Sequence, residues 1–217
     1  SGNCYDEIHS SGLLIHKYGP HYFRAKEPDI FKYLSRFTKW IEGDYKVNSF
    51  VNNQYYQFPI NLNTLEKFFN IKLDEKKAKA LLDSKKKNIS NPLNAEEALL
   101  SIVGNELYES FYKGYTKKQW GISAKHLDPS IVLRVPIRFN RNQYYVDEGI
   151  KKMPKDGYNT LFSNMIKSEN IKVLKNTNFK NIKNLIKPKI GIVYTGPIDE
   201  YFDLKDGKLE WRSLDFE

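Results

Sequence analysis

Cysteine is almost absent from this chain of 217 residues: Cys4 stands alone. One thiol excludes an intrachain disulfide and any zinc site built on cysteine, and it points to a reducing compartment, so a cytoplasmic location is expected. Long apolar runs are missing too. None approaches the roughly 20 residues that a membrane-spanning helix needs, and no leader segment is visible. Histidine occurs 4 times. His16 and His21 are five apart, a spacing that suits neither a helix face nor one side of a strand. With no carboxylate cluster beside them, no metal site is expected. The 12 glycines are dispersed, and none forms the Gly-x-Gly-x-x-Gly turn that cradles a dinucleotide pyrophosphate. No catalytic dyad or triad stands out.

What is present is rings and positive charge. Aromatic residues make up 14% and hydrophobic residues 40% of the chain, which argues for a folded protein. The length suffices for one good core, or one core and a satellite domain. A net charge of +9 suits an anionic partner. The lysines are scattered, with runs at Lys76-Lys77 and Lys85-Lys86-Lys87, which reads as a solvated surface more than a nucleic-acid footprint.

In chain order, 13–16 reads as a short β run stopped by Gly19-Pro20. Residues 28–41 read as a helix: Pro28 suits its first turn, and Ile30, Phe31, Leu34, Phe37 and Ile41 recur on one face, with Trp40 beside it as core. A hairpin is predicted over 45–51 and 54–58 around Asn52-Asn53. Residues 62–113 are helical throughout. Asn61 or Asn63 caps the first segment, Asn94 with Glu97 forms a near capping box, and Gly104 breaks the last run. Residues 128–150 are irregular, 149–157 reads as a flexible connection, and 158–167 as a helix with Leu161, Phe162, Met165 and Ile166 inward. Strands are predicted at 171–174, 190–194 and 209–216. Alternating helices and strands give an α/β fold, α+β within this stretch.

One run, 114–145, concentrates Tyr115, Thr116, Trp120, Arg134, Arg138, Tyr144 and Tyr145. Aromatic faces stack a flat heterocycle, and a guanidinium fork grips phosphate through parallel hydrogen bonds. Arg134 interrupts an apolar run, which is costly unless it is paired or faces a ligand.

GYTKKQWG (114–121) followed by RVPIRFN (134–140) and an aromatic pair resembles the UDP-galactopyranose mutase family. IHKYGPHYF (15–23), YTGPIDEYF (194–202) and LEWRSLDFE (209–217) are similar to family text in the same order. The resemblance implies part of a Rossmann-like FAD-binding mutase with an inserted helical substrate domain and a β-sheet domain. Here that means a flavin-region part with the first helix and hairpin (1–60), a helical substrate-binding domain (61–127), and a stretch with a mobile arginine loop, sheet strands and the return to the flavin region (128–217). It implies interconversion of UDP-galactopyranose and UDP-galactofuranose through an adduct between the sugar and N5 of reduced FAD, in surface polysaccharide biosynthesis such as O antigen.

By match to the family's motifs, Tyr115, Thr116 and Trp120 hold the uridine end. Arg134 closes over the diphosphate, Tyr145 hydrogen-bonds diphosphate or sugar, and Asn48 touches the sugar nucleotide. Asn3, His21 and Tyr22 neighbour the flavin, with Ser1 replacing a family glycine, and Arg134 and His21 are the catalytic candidates. The chain departs from the family at Arg24, where His is usual, and at Val146, where Phe is usual. The family's glycine fingerprint and a second diphosphate arginine match nothing here. The chain is therefore expected to be an internal portion of a larger protein, inactive and colourless alone, and a homodimer is possible. Two alternatives stay open: a non-catalytic UDP-sugar-binding protein and a basic nucleic-acid-binding module.

Overall fold

The computed structural model describes residues 2–43, 46–145, 149–211 and 213. The chain folds into two compact units: Ser1–His21, Lys32–Ile41 and Met153–Glu217 form the first, and Tyr22–Phe31 with Glu42–Lys152 the second.

The second unit holds the main core. A hairpin of β5 (Val47–Val51) and β6 (Gln54–Phe58) pairs in the register Val51↔Gln54. Asn52 and Asn53 take the positive φ values, 48° and 60°, that a two-residue type I′ turn demands. Tyr45 of the predicted first strand lies outside the described residues. Helices follow: α2 (Leu62–Phe69), α3 (Glu75–Lys85) and α4 (Ala95–Leu107). Each begins at a side chain that accepts an otherwise unpaired N–H, Asn61 for Thr64, Asp74 for Lys77 and Asn94 for Glu97. Such a cap is worth about 1 kcal/mol. Of the two asparagines that sequence offers for α2, Asn61 is the cap. The Glu97 carboxylate returns the contact, accepting from Leu93 N–H at 2.8 Å.

Gly104 stands inside α4 at φ 75°, ψ 179° and kinks it. A Cβ there would meet the Lys85 carbonyl oxygen at 2.3 Å, so glycine alone fits. Beyond the kink run a π-helical turn (Tyr108–Lys113) and α5 (Gly114–Trp120). Ile60, Leu65, Val103 and Leu107 are fully buried. Edge-on rings of Tyr56, Phe68 and Phe111, with centroids 5.4–6.0 Å apart, join the hairpin to α2 and the π turn; each such pair adds roughly 0.5–1.5 kcal/mol. A 3₁₀ turn (Ala124–His126) and the short α6 (Ser130–Leu133) complete this part.

Three expectations are corrected. The helix predicted over 28–41 is α1 (Pro28–Leu34) only, because β4 (Trp40–Glu42) follows. Bonds from Arg36 N–H to the Tyr33 carbonyl and Phe37 N–H to the Leu34 carbonyl close the helix in a tight turn, and Thr38, Trp40 and Ile41 favour extended backbone. Trp40 Nε1 donates to Ser35 Oγ instead of joining a buried helix face. The connection expected over 149–157 contains strand β7 (Ile150–Pro154), in a sheet ordered β3-β7-β4. Strand β3 (Phe23–Ala25) pairs with it antiparallel from Phe23↔Lys152 to Ala25↔Ile150.

The third correction concerns the first unit. Its hairpin of β1 (Asp6–Ile8) and β2 (Leu14–His16) carries a buried Asp6. That carboxylate accepts from Tyr158 N–H and, at 3.0 Å, from Asn159 N–H, capping α7 (Tyr158–Met165) from a distant part of the chain. Leu161 faces inward as predicted, whereas the helix stops before Ile166, which is 45% exposed. The strands predicted at 171–174, 190–194 and 209–216 do not form among the described residues; Arg212 and 214–217 lie outside them. A strand needs a partner's N–H and C=O groups, and no described segment offers them. Ile190, Val193 and Trp211 stand 104%, 91% and 74% exposed. Short turns α8 (Phe179–Ile182) and α9 (Ile198–Tyr201) are tied instead by rings, Phe179 to Tyr194 at 5.2 Å and Tyr194 to Tyr201 at 4.9 Å. No helix among the described residues is long and apolar enough to cross a membrane.

Candidate functional site

One cavity of 490 Å³ opens in the second unit between β5, the helical run 110–120 and the segment after α6. The sequence builds its wall by helical spacing. Phe111 and Tyr112, Tyr115 and Thr116, and Gln119 and Trp120 follow at intervals of four, which places them on one stripe. Asn48 enters from β5, Arg134 and Val135 from the far side, and Tyr145 from the segment leading to β7. All six residues that sequence reasoning assigned to a nucleotide sugar, Asn48, Tyr115, Thr116, Trp120, Arg134 and Tyr145, line this one space.

Their exposure differs in a useful way. Tyr115 is 62% exposed and presents its ring, whereas Thr116 is 4% exposed and fixes the wall. Trp120 and Tyr145 are half-buried, and Asn48 and Arg134 exposed. Arg134 ends α6 and is therefore placed by helix geometry. Burial pushes the Tyr145 phenol up, and the charges of Arg134 and Arg24 pull against it. Arg24, which sequence reasoning marked only as a departure from family text, is thus near enough for Tyr145 to feel its charge. Tyr112 was missed outright, since nothing in its spacing separates it from a core ring.

The segment beyond Arg134 is pinned. Arg138 N–H donates to the Ile60 carbonyl and Leu62 N–H to the Asn140 carbonyl, both at 2.9 Å. Arg141 bonds Asn63 and, at 2.8 Å, Glu66. The Arg141 hydrogen bond, helped by Leu73 N–H, holds the Glu66 carboxyl down at about 2. The short stretch 134–137 therefore runs between two fixed points.

The expected flavin neighbours lie elsewhere. Asn3 is exposed on the 3₁₀ turn Gly2–Cys4 of the first unit. His21, also of that unit, donates its Nδ1–H to the Gly19 carbonyl at 2.8 Å, which leaves Nε2 outside that bond. Its backbone N–H donates to His16 Nδ1 at 2.9 Å, which gives His16 a structural role. Tyr22 is half-buried in the second unit. Ser1 and Val146 lie outside the described residues. Gly157 precedes α7, yet the N–H groups of Tyr158 and Asn159 there are taken by Asp6. That turn therefore leaves neither N–H for the pyrophosphate of a flavin dinucleotide. No group of three or more His, Cys, Asp or Glu is placed to hold a metal among the described residues.

Comparison with known proteins adds a lineage. A family profile described as UDP-galactopyranose mutase matches residues 110–217. The chain is 34% identical over its whole length to a dTDP-fucopyranose mutase of Escherichia coli, covering 59% of that protein. It is likewise 34% identical to a probable UDP-galactopyranose mutase of Klebsiella pneumoniae, covering 56% of it, and 28% identical to the UDP-galactopyranose mutase of Mycoplasma pneumoniae, covering 58%. The chain thus spans less than three fifths of the length of these relatives. A crystal structure of reduced UDP-galactopyranose mutase superposes with a TM-score of 0.56 over 77% of this chain and 38% of that one, at 14% identity, which shows a shared fold.

Proposed function

The chain belongs to the UDP-galactopyranose mutase family, and from that premise we propose that it forms the nucleotide-sugar-holding part of an enzyme interconverting UDP-galactopyranose and UDP-galactofuranose for surface polysaccharide synthesis in the cytoplasm. The observation that carries this reading is the convergence of Asn48, Tyr115, Thr116, Trp120, Arg134 and Tyr145 on one cavity.

In this reading 61–127 is the helical substrate domain. Tyr115 stacks on the base, and Thr116 and Trp120 bound the nucleoside. Arg134 meets the diphosphate with a two-pronged, charge-assisted contact. The same charge stabilises the diphosphate as it departs from the anomeric carbon, because a fixed cation offsets charge that builds in the transition state. Tyr145 keeps its proton under burial and donates to the diphosphate or sugar. Asn48 reaches the sugar end. The family's redox cofactor is FAD, and this chain contributes only neighbours to it, Asn3, His21 and Tyr22. The 217-residue chain is expected to be colourless and without mutase activity by itself.

Titration with UDP, followed by tryptophan fluorescence, tests the proposal. Saturable binding that weakens in Arg134→Ala supports it, and no binding by the wild-type chain sinks it. The relative named dTDP-fucopyranose mutase favours a second reading, in which a thymidine diphosphate sugar fills the same cavity. Competition between UDP and dTDP for the titrated site separates the two.

A further inference from the structure

Two tyrosines one turn apart on the π-helical segment meet opposite fates. Tyr108 and Tyr112 are 2% and 5% exposed. The Tyr108 hydroxyl donates to Glu96 Oε2 at 2.7 Å. The Tyr112 hydroxyl is enclosed and has no hydrogen-bond partner among the described residues. A buried hydroxyl without a partner is less favourable than no hydroxyl at all, since phenylalanine fills nearly the same volume with nothing to desolvate. Such a group calls for an explanation.

The surroundings supply one. Tyr112 walls the 490 Å³ cavity, its ring 6.0 Å from that of Phe58 and set edge-on. It also walls a second hollow of 420 Å³ behind, together with Val132 and Val135. The ring thus stands as a partition between the two hollows. Tyr112 lies on the same helical stripe as Thr116 and Trp120, the residues assigned to the nucleoside end.

We propose that the Tyr112 hydroxyl is a specificity-determining donor that hydrogen-bonds an oxygen of the nucleoside portion of the bound nucleotide sugar. The inference rests on the nucleotide reading of the cavity. Burial raises the phenol well above its ordinary range, so it stays neutral and keeps its proton. A neutral donor serves a carbonyl or hydroxyl oxygen, and Tyr112 shares its stripe with Thr116 and Trp120 at the nucleoside end, while Arg134 meets the diphosphate. The unpaired hydroxyl of the free chain then finds its partner on binding.

Two single-atom deletions test this on the full chain: Tyr112→Phe and Tyr108→Phe, each followed by a thermal melt and a UDP titration. Tyr112→Phe is expected to melt at or above the wild-type temperature and to bind UDP about three- to tenfold more weakly. Tyr108→Phe is expected to melt lower, having stranded Glu96, and to bind UDP as the wild type does. Weaker binding without loss of stability is a result that a purely structural tyrosine cannot give. If the wild type binds and Tyr112→Phe binds equally well, or melts lower, the inference fails while the cavity reading stands. If the wild-type chain does not bind UDP, the cavity reading falls and the inference falls with it.

Discussion

Residues 61–127 and residues 166–211 are both well supplied with large apolar side chains, and the chain treats them in opposite ways. In the first stretch Leu65 and Leu107 are 0% exposed, and α2, α3 and α4 each start at a capping side chain. In the second, Leu174, Leu185, Ile190 and Val193 are between 58% and 104% exposed, and the only regular elements are four-residue turns. The difference lies in where partners come from. A capped helix completes its backbone hydrogen bonds within its own sequence and then needs one apolar face to pack. A strand completes nothing alone. Local chemistry thus suffices for the first stretch, whereas the second carries β-type sequence with no strand beside it among the described residues.

The largest effect should come from cutting the packed side of this contrast. Leu107→Ala is expected to cost about 3 kcal/mol or more in urea denaturation, because the void it leaves cannot collapse. Val193→Ala, in the exposed stretch, should change stability by less than about 0.5 kcal/mol. A large loss at Val193 would show that the stretch is held by contacts the contrast ignores. Next comes Arg134→Ala, which should weaken UDP binding by about tenfold or more through loss of a charge-assisted contact, with the melting temperature unchanged.

Caps sharpen the contrast further. Asn94→Ala should cost about 1 kcal/mol, since thirteen helical residues follow it. Asn178→Ala removes a similar cap, accepting from Lys180 N–H at 2.9 Å, from a turn of four residues and should cost only a few tenths. The smallest effect concerns acid. Glu66 is lowered from 4.5 to about 2 by Arg141, so its share of stability is present above about 4.5 and is lost as pH falls toward about 2. Urea midpoints measured from pH 5 to pH 2 should fall slightly less steeply in Glu66→Gln than in the wild type.

Much of this was legible. Asparagine before an apolar run announced the helix starts, and Asn52-Asn53 announced the hairpin. The helix over 28–41 was overread because Phe37 and Ile41 continue the period of α1, while the competing strand partner, β7, lies some 110 residues further on. Two glycines bracketing 149–157 looked like a hinge; Gly149 instead turns the chain against Ala25, where a Cβ would meet its carbonyl oxygen at 2.5 Å. The six cavity residues were legible through their wording, not their spacing. Tyr112 was not, because sequence cannot tell a buried hydroxyl that has found Glu96 from one that has found nothing.

The π-helical turn at Tyr108–Lys113 has a consequence for length variation. Such a turn holds one residue more than an α-helical turn would. Removing one exposed residue there, such as Lys113, would let the helix continue smoothly with its backbone bonds intact. Because the wide turn and the ordinary turn both complete one revolution, every side chain after it would keep its bearing, and Tyr115, Thr116 and Trp120 would stay on the cavity wall. A deletion that the fold tolerates would in this way spare the wall after it, so the extra residue is a local widening of the helix that leaves the orientation of everything downstream unaltered.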